Sequence, residues 1–227
     1  MRLPTFDGMS TQHAPVHPAA QQLAPSVPTG LATVTQVLTV ALAVLMLVRA
    51  AAMVVAGGDQ QAWVGDQPSA AVTAVGALTS LTMLVQLLAG GLGCVWLYLH
   101  VTTARALNPD GWHDRAPCWA FLGWVAPIVS LWFPYQVVRD GAASVGAPTR
   151  VVGWWWATWL TLQVVVAGEA VAALLVVDDA TPFMVATMVT ALGTAVSGAL
   201  WVRVVRSMTD AATRCAVARV PTPTVVP

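Results

Sequence analysis

Two ionisable residues follow long apolar runs of the sequence, where a charged side chain is costly in a membrane. Arg49 comes after a charge-free run that begins at Leu31, and Glu169 comes after one that begins at Val151. Each lies 18 residues after the start of its run, which is about 27 Å along a helix. If both helices cross in the same direction, the two groups reach the same depth and could form an ion pair. Such a pair either fixes helix packing only or serves a proton- or ion-linked site.

Other side chains that could carry chemistry give weaker signals. The sequence contains no HExxH, GxSxG or P-loop motif, and its three cysteines do not have metal-type spacing. His100 and Ser130 could act as base and nucleophile, but His100 is expected at a helix end, where a solvated imidazole is the ordinary outcome. We therefore predict a protein that is not an enzyme, with no cofactor and no metal site.

The composition requires a membrane environment for whatever elements carry these residues. Apolar residues make up 57% of the 227 positions and charged residues only 9%, with ten arginines balancing ten acids. Soluble domains carry about 25% charged residues. Twenty charges cannot cover a water-facing surface of this size, so the composition excludes a soluble enzyme and a nucleic-acid-binding protein. The lipid bilayer is the predicted surrounding, and no nucleic acid is expected as a partner.

Charge-free windows mark the candidate membrane spans, because about 20 apolar residues cross a hydrocarbon core of about 30 Å. The windows are 31–48 (with the apolar pattern continuing to 56), 67–104, 116–138, 151–168 and 180–202. The window at 116–138 differs from the others because it contains Pro127, Pro134 and three tryptophans. A proline inside a helix removes a backbone hydrogen bond and bends the axis. The sequence predicts an all-α membrane protein with four spans and a proline-broken re-entrant or interfacial element at 116–138. Five full spans are the alternative.

The distribution of arginine favours four spans. If the element at 116–138 returns to the side from which it entered, nine arginines lie on one side of the membrane or at its boundary (Arg2, Arg105, Arg115, Arg139, Arg150, Arg203, Arg206, Arg214 and Arg219). The opposite loops, 57–69 and 177–182, contain four aspartates and no arginine. Cytoplasmic loops are enriched in Lys and Arg. The rule therefore predicts both termini in the cytoplasm, and the five-span alternative divides the arginines much less cleanly.

The segment from 123 to 160 carries a motif of tryptophans and prolines. Its residues are Trp124, Pro127, Leu131, Trp132, Pro134, Tyr135, Gln136 and Arg139, followed by Trp154, Trp155 and Trp156 at the start of the next span. This pattern resembles the bacterial membrane proteins grouped as domain of unknown function 4328, over roughly residues 35–208. The resemblance implies a multi-pass inner-membrane protein, and it transfers no catalytic residues.

These observations divide the chain into three parts and lead to two functional hypotheses. Residues 1–30 contain five prolines and are predicted to be a disordered cytoplasmic tail. Residues 31–208 form the transmembrane domain, and 209–227 form a second cytoplasmic tail. We expect a non-enzymatic scaffold, sensor or accessory subunit of the bacterial plasma membrane, which binds a protein partner or a second copy of itself. The alternative is a small transporter or channel that uses the element at 116–138 and the Arg49–Glu169 pair.

Overall fold

The described part of the chain is mainly helical. The computed structural model describes residues 26–57, 69–111, 113–125, 128–175 and 181–219, and within these ranges it leaves out the side chains of 169, 172–175 and 181–183. The described helices are α1 (Thr29–Gly57), α2 (Ala70–Leu107), α3 (Trp119–Val125), a 3₁₀ turn (Val129–Leu131), α4 (Phe133–Ser144), α5 (Thr149–Leu175) and α6 (Thr181–Ala218). The described part contains no strand. Residues 1–25 of the first predicted tail and residues 220–227 of the second lie outside the described residues.

Four of these helices are long and apolar enough to cross a membrane. They contain 29, 38, 27 and 38 residues, so each is about 40 Å long or longer and exceeds a hydrocarbon core of about 30 Å. Large apolar side chains stay exposed along them, among them Val55, Leu87 and Val164, as a surface in contact with lipid requires. The prediction of an all-α membrane protein is confirmed.

The four long helices pack side by side in the spatial order α2, α1, α6, α5. Helix α1 packs along both α2 and α6, and α5 packs along α6. Glycines on α6 allow close approach on two sides: a Cβ at Gly198 would lie 3.2 Å from Thr39 of α1, and a Cβ at Gly193 would lie 3.1 Å from Leu162 of α5. Helices α3 and α4 contact α2, and α4 also contacts α5. The short helices therefore bridge the two outer members of the row.

The long helices alternate in direction, so that α1 begins, α2 ends, α5 begins and α6 ends at one end of the bundle, which we call the motif end. A hydrogen bond from Asn108, just after α2, to the Ser144 carbonyl, just before α5, shows this for α5, and two further bonds show it for α1, α2 and α6. The Thr103 hydroxyl on α2 donates to the Ser26 carbonyl just before α1, at 3.4 Å. The Arg219 guanidinium after α6 donates to the Ala106 carbonyl of α2, at 3.3 Å. The chain thus enters and leaves the bundle at the same end.

Helix α6 continues beyond the boundary predicted from the sequence. The transmembrane domain was expected to end at residue 208, with a tail from 209, but the helix runs without interruption to Ala218. Met208, Ala211 and Ala212 are buried in the main core. Their spacing of three and four residues places them on one face of the helix. This buried face extends the folded domain ten residues beyond the predicted boundary.

The proline-containing window does not form a spanning helix. Helix α3 has 7 residues and is therefore about 10 Å long, and α4 begins only after the intervening 3₁₀ turn. Helix α4 then returns to the motif end, where the Ser144 carbonyl accepts from the Asn108 side chain just after α2, at 3.2 Å. The prediction of a broken element between four spans is confirmed.

Candidate functional site

The candidate site is the broken element, formed by α3, the 3₁₀ turn and α4, together with the ends of α2, α5 and α6 around it. Pro134 lies in the first turn of α4, where the missing N–H has no helical partner to lose. A Cβ at Gly123 on α3 would lie 3.5 Å from Phe133 and Pro134. The two halves of the element therefore fold back closely on each other. Pro127 lies outside the described residues.

Aromatic rings connect this element to three of the long helices. Seven rings form one continuous chain of contacts, with distances between neighbouring ring centroids of 4.6 to 6.4 Å. In order of contact they are Trp132, Tyr135, Trp156, Trp155, Trp201, Trp96 and His100. The Tyr135–Trp156 and Trp96–His100 pairs are stacked. Trp124 of α3 joins the same set through edge contacts with Trp156 at 6.2 Å and Trp159 at 5.4 Å. We call these rings the aromatic network. Such ring pairs contribute about 0.5–1.5 kcal/mol each beyond their burial, so the network fixes α3 and α4 against α5, α6 and α2.

Two arginines hold the turn that leads from α2 into the broken element. The Arg105 guanidinium on α2 donates to the carbonyls of His113, at 3.4 Å, and Arg115. Arg115 in turn donates from Nε to the Gln136 side-chain oxygen at 3.1 Å, and its guanidinium carbon lies 4.3 Å from the centre of the Phe133 ring. We call Arg105, Arg115 and Gln136 the arginine clasp. It ties the end of α2 to the first turns of α4.

A third arginine lies on the outer surface of α4. Arg139 is about half exposed and its Nε lies 3.4 Å from an oxygen of Asp140. Its guanidinium also lies 5.9 Å from the centre of the Tyr135 ring. Burial raises the pKa of the Asp140 carboxyl above its ordinary value of 3.8; the Arg139 charge opposes this shift and the Asp114 charge adds to it. The carboxylate thus lies at the edge of the core with one exposed cation beside it.

His100 lies in the core, contrary to the expectation of a solvated imidazole. It is fully buried, and neither ring nitrogen has a hydrogen-bond partner among the described residues. Its ring lies 5.2 Å from that of Trp96, which is also fully buried. A Cβ at Gly141 would lie 3.2 Å from both Met208 and Val101, which shows how tightly α4 closes over this region. Enclosed in this way, His100 cannot act as a solvent-accessible base.

The predicted charge pair is described on one side only. Arg49 is partly buried and donates from Nε to the Thr79 hydroxyl of α2 at 3.0 Å, and Thr79 donates to the Val75 carbonyl at 2.8 Å. The side chain of Glu169 lies outside the described residues. The Arg49–Glu169 pair therefore stays a prediction. Thr79, whose hydroxyl accepts from Arg49, was not among the residues that the sequence indicated.

A family model described as Domain of unknown function (DUF4328) matches residues 59–210. The chain belongs to the DUF4328 family. The match begins before α2 and ends in the last turns of α6, and it includes the broken element and the aromatic network. The comparisons with curated proteins and with solved structures find no match.

The tryptophan and proline motif that resembles the DUF4328 family lies mainly at the motif end. Trp124, Tyr135, Trp155 and Trp156 belong to the aromatic network, Gln136 belongs to the arginine clasp, Pro134 opens α4 and Arg139 lies on its surface. Leu131, Trp132 and Trp154 are more than half exposed and offer apolar surface. Trp96, Trp201, Arg105 and Arg115 complete the site but were not predicted as part of it.

Proposed function

We propose that this DUF4328 protein is a non-enzymatic scaffold or accessory subunit of the bacterial plasma membrane, which binds a protein partner through its motif end. The observation that carries the proposal is what the polar and aromatic side chains of the candidate site contact. Arg115 and Gln136 bond to each other, Arg105 holds backbone carbonyls, and the rings pack on one another. These side chains stabilise a rigid surface instead of surrounding a substrate cavity.

The exposed part of the motif end has the properties of a binding surface. Arg139, Ala143 and Pro148 are exposed on α4 and on the turn that follows it, while the residues beneath them, among them Val138 and Ala142, are fully buried. A rigid backbone that presents a few charged and small side chains loses little conformational entropy when a partner binds. We therefore place the partner on α4 and the turn into α5.

The same proposal places the motif end and both termini in the cytoplasm. In the four-span arrangement, eight of the nine arginines among the described residues are at or beyond this end, Arg49 being the exception, and cytoplasmic loops carry the excess of arginine. Membrane-impermeant thiol labelling of intact cells tests it on a chain without native cysteines. Engineered cysteines at Gln61 and Asp179 should react, and one at the exposed Ala143 should react only after the cells are opened. Labelling at Ala143 in intact cells would contradict the orientation.

Site-specific crosslinking tests the protein partner. A photoreactive amino acid at Ala143 or Pro148 should give a discrete protein adduct in native membranes, whereas the same group at Val164, which is exposed in the middle of α5, should give none of that mass. Disrupting the arginine clasp with Arg115→Met should reduce the adduct because the surface loses its shape. Identical adducts at all three positions would contradict a specific surface.

Transport is the second candidate, and the position of Arg49 is the observation that favours it. Its guanidinium lies within a spanning helix and is hydrogen-bonded to the neighbouring helix, and ionisable groups at such depth often mark ion pathways. Proteoliposomes loaded with a pH-sensitive or ion-sensitive dye test this candidate. A flux that depends on the protein and is lost in Arg49→Met would favour a transporter over the scaffold.

A further inference from the structure

A groove separates the first turns of α1 from the last turns of α6, away from the broken element. Its volume is about 500 Å³. Helix α6 contributes Arg206, Thr209, Asp210, Thr213 and Arg214, at positions i, i+3, i+4, i+7 and i+8, and α1 contributes Thr29, Thr33 and Gln36 from one face. These spacings place both sets on facing helical stripes. Apart from Ala32, the residues that line the groove all carry a hydroxyl, an amide or a charge, whereas the lipid-facing sides of both helices are apolar.

One arginine of the groove is held in place by a side chain of the opposite helix. Arg206 donates from Nε to the Gln36 side-chain oxygen at 2.7 Å. Its two terminal nitrogens have no partner among the described residues, and Arg214 is exposed about two turns further along α6. Asp210 lies between them in the sequence and makes no ion pair with any described residue. The groove thus offers two free cationic groups and one free carboxylate.

One residue that lines the groove has a buried hydroxyl without a hydrogen-bond partner. Thr209 is only 7% exposed, and its side-chain oxygen has no hydrogen-bond partner among the described residues. Neighbouring hydroxyls of α6 do bond to their own helix; for example, Thr213 donates to the Thr209 carbonyl at 2.8 Å. A buried polar atom without a partner is costly. Thr209 lines the groove, and a hydrogen-bonding ligand there would remove that cost if the side chain rotates to bring its hydroxyl to the groove.

We propose that this groove binds a phospholipid head group. It lies at the motif end, where α1 begins and α6 ends, at the level at which lipid phosphates meet the ends of membrane helices. The guanidinium groups of Arg206 and Arg214 bind the phosphodiester, since arginine pairs with phosphate through several parallel hydrogen bonds. Asp210 and the Thr209 hydroxyl bind the group beyond the phosphate, so the favoured head groups carry a donor: the ammonium of phosphatidylethanolamine or the glycerol hydroxyls of phosphatidylglycerol.

Lipid titration of the purified full chain in detergent, followed by native mass spectrometry, tests the proposal. Phosphatidylglycerol and phosphatidylethanolamine should bind more tightly than phosphatidylcholine, which has the same phosphodiester and no donor. Replacing both arginines by glutamine should weaken binding of the first two lipids about tenfold or more, because charge-assisted hydrogen bonds are lost. Asp210→Asn should weaken phosphatidylethanolamine more than phosphatidylglycerol, because it removes the partner of the ammonium.

Matched variants and a soluble competitor decide the outcome. Arg150→Gln with Arg203→Gln removes two exposed charges outside the groove and should leave the lipid affinities unchanged. If the groove double variant does not fold, Thr209→Val and Asp210→Asn carry the test separately. Displacement of the lipid by equimolar inorganic phosphate would assign the groove to free phosphate and overturn the lipid proposal. Equal affinities for all three lipids, or equal losses in the groove variant and the control variant, would also overturn it.

Discussion

The arginine clasp leads to a prediction that can be worked out from its contacts. Arg115→Met removes the hydrogen bond from Nε to Gln136 and the guanidinium above the Phe133 ring, while it keeps a long apolar side chain. A hydrogen bond to a charged group contributes about 1.5–3 kcal/mol, and a partly exposed cation–π contact adds about 0.5–1 kcal/mol. We expect the variant to destabilise the broken element by about 2–4 kcal/mol.

Two measurements report this loss in different ways. Thermal unfolding in detergent, followed by tryptophan fluorescence, measures the whole domain, since the aromatic network contacts the element directly. A cysteine at Ala120, which is fully buried in α3, measures local opening in a chain without native cysteines. If opening of the element limits thiol modification, a loss of 2 kcal/mol raises the labelling rate about 30-fold.

Arg139→Met is the matched control, because it removes the same charge from α4, the helix that Arg115 contacts through Gln136. Arg139 is 47% exposed beside Asp140, and exposed ion pairs contribute about 0–1 kcal/mol. Its effect on both readouts should therefore be much smaller. Arg115→Lys should fall between the parent and Arg115→Met, because lysine keeps the charge but not the planar donor group. Equal effects of Arg115→Met and Arg139→Met would refute the role assigned to the clasp.

Three further predictions use neighbouring residues as controls. Trp156→Ala should lower the unfolding free energy, measured by chemical denaturation, by about 3–5 kcal/mol, because Trp156 is 94% buried in the aromatic network. Trp154→Ala should change that free energy little, because Trp154 is 59% exposed. If Glu169 pairs with Arg49, Glu169→Gln should destabilise the fold by about 3–5 kcal/mol, and Arg49→Met combined with Glu169→Leu should recover most of that loss. Equal stability of Glu169→Gln and the parent would refute the predicted pair. Asp140→Asn should be more stable than the parent at pH 7. Burial raises the pKa of the Asp140 carboxyl in the folded protein above its ordinary value of 3.8, so the folded parent loses stability as the pH rises above 3.8. The difference in unfolding free energy should therefore disappear in unfolding curves measured below pH 3.8.

The spans and the break between them could be predicted because both depend on local composition. A charge-free run of the required length leaves few alternatives to a spanning helix, and Pro134 cannot continue a regular helix from α3 into α4. The arginine distribution then decided between four and five spans. Each of these inferences needs only residue types and their order along the chain, so the fold class could be derived without knowledge of any contact.

The arginine clasp could not be predicted in this way. Arg105 and Arg115 entered the sequence argument only as charges at a membrane boundary. In the structure, Arg105 donates to backbone carbonyls of the turn after α2, and Arg115 reaches Gln136 in α4. These partners are determined by the path of an irregular turn and by the return of α4. Residue spacing in the sequence does not specify either one.

His100 and the last turns of α6 show what a one-dimensional interpretation of membrane depth omits. Both lie where apolar runs give way to polar residues, so depth alone placed His100 in water and residues after 208 in a tail. In the structure α4 lies across this level, and Gly141 approaches Val101 and Met208 closely enough to enclose them. Exposure at the end of a membrane bundle therefore depends on what covers a helix laterally. For the same reason Thr209, one residue past the predicted boundary, is buried although it borders the groove, and Thr209→Val tests whether its hydroxyl contributes to the proposed lipid binding.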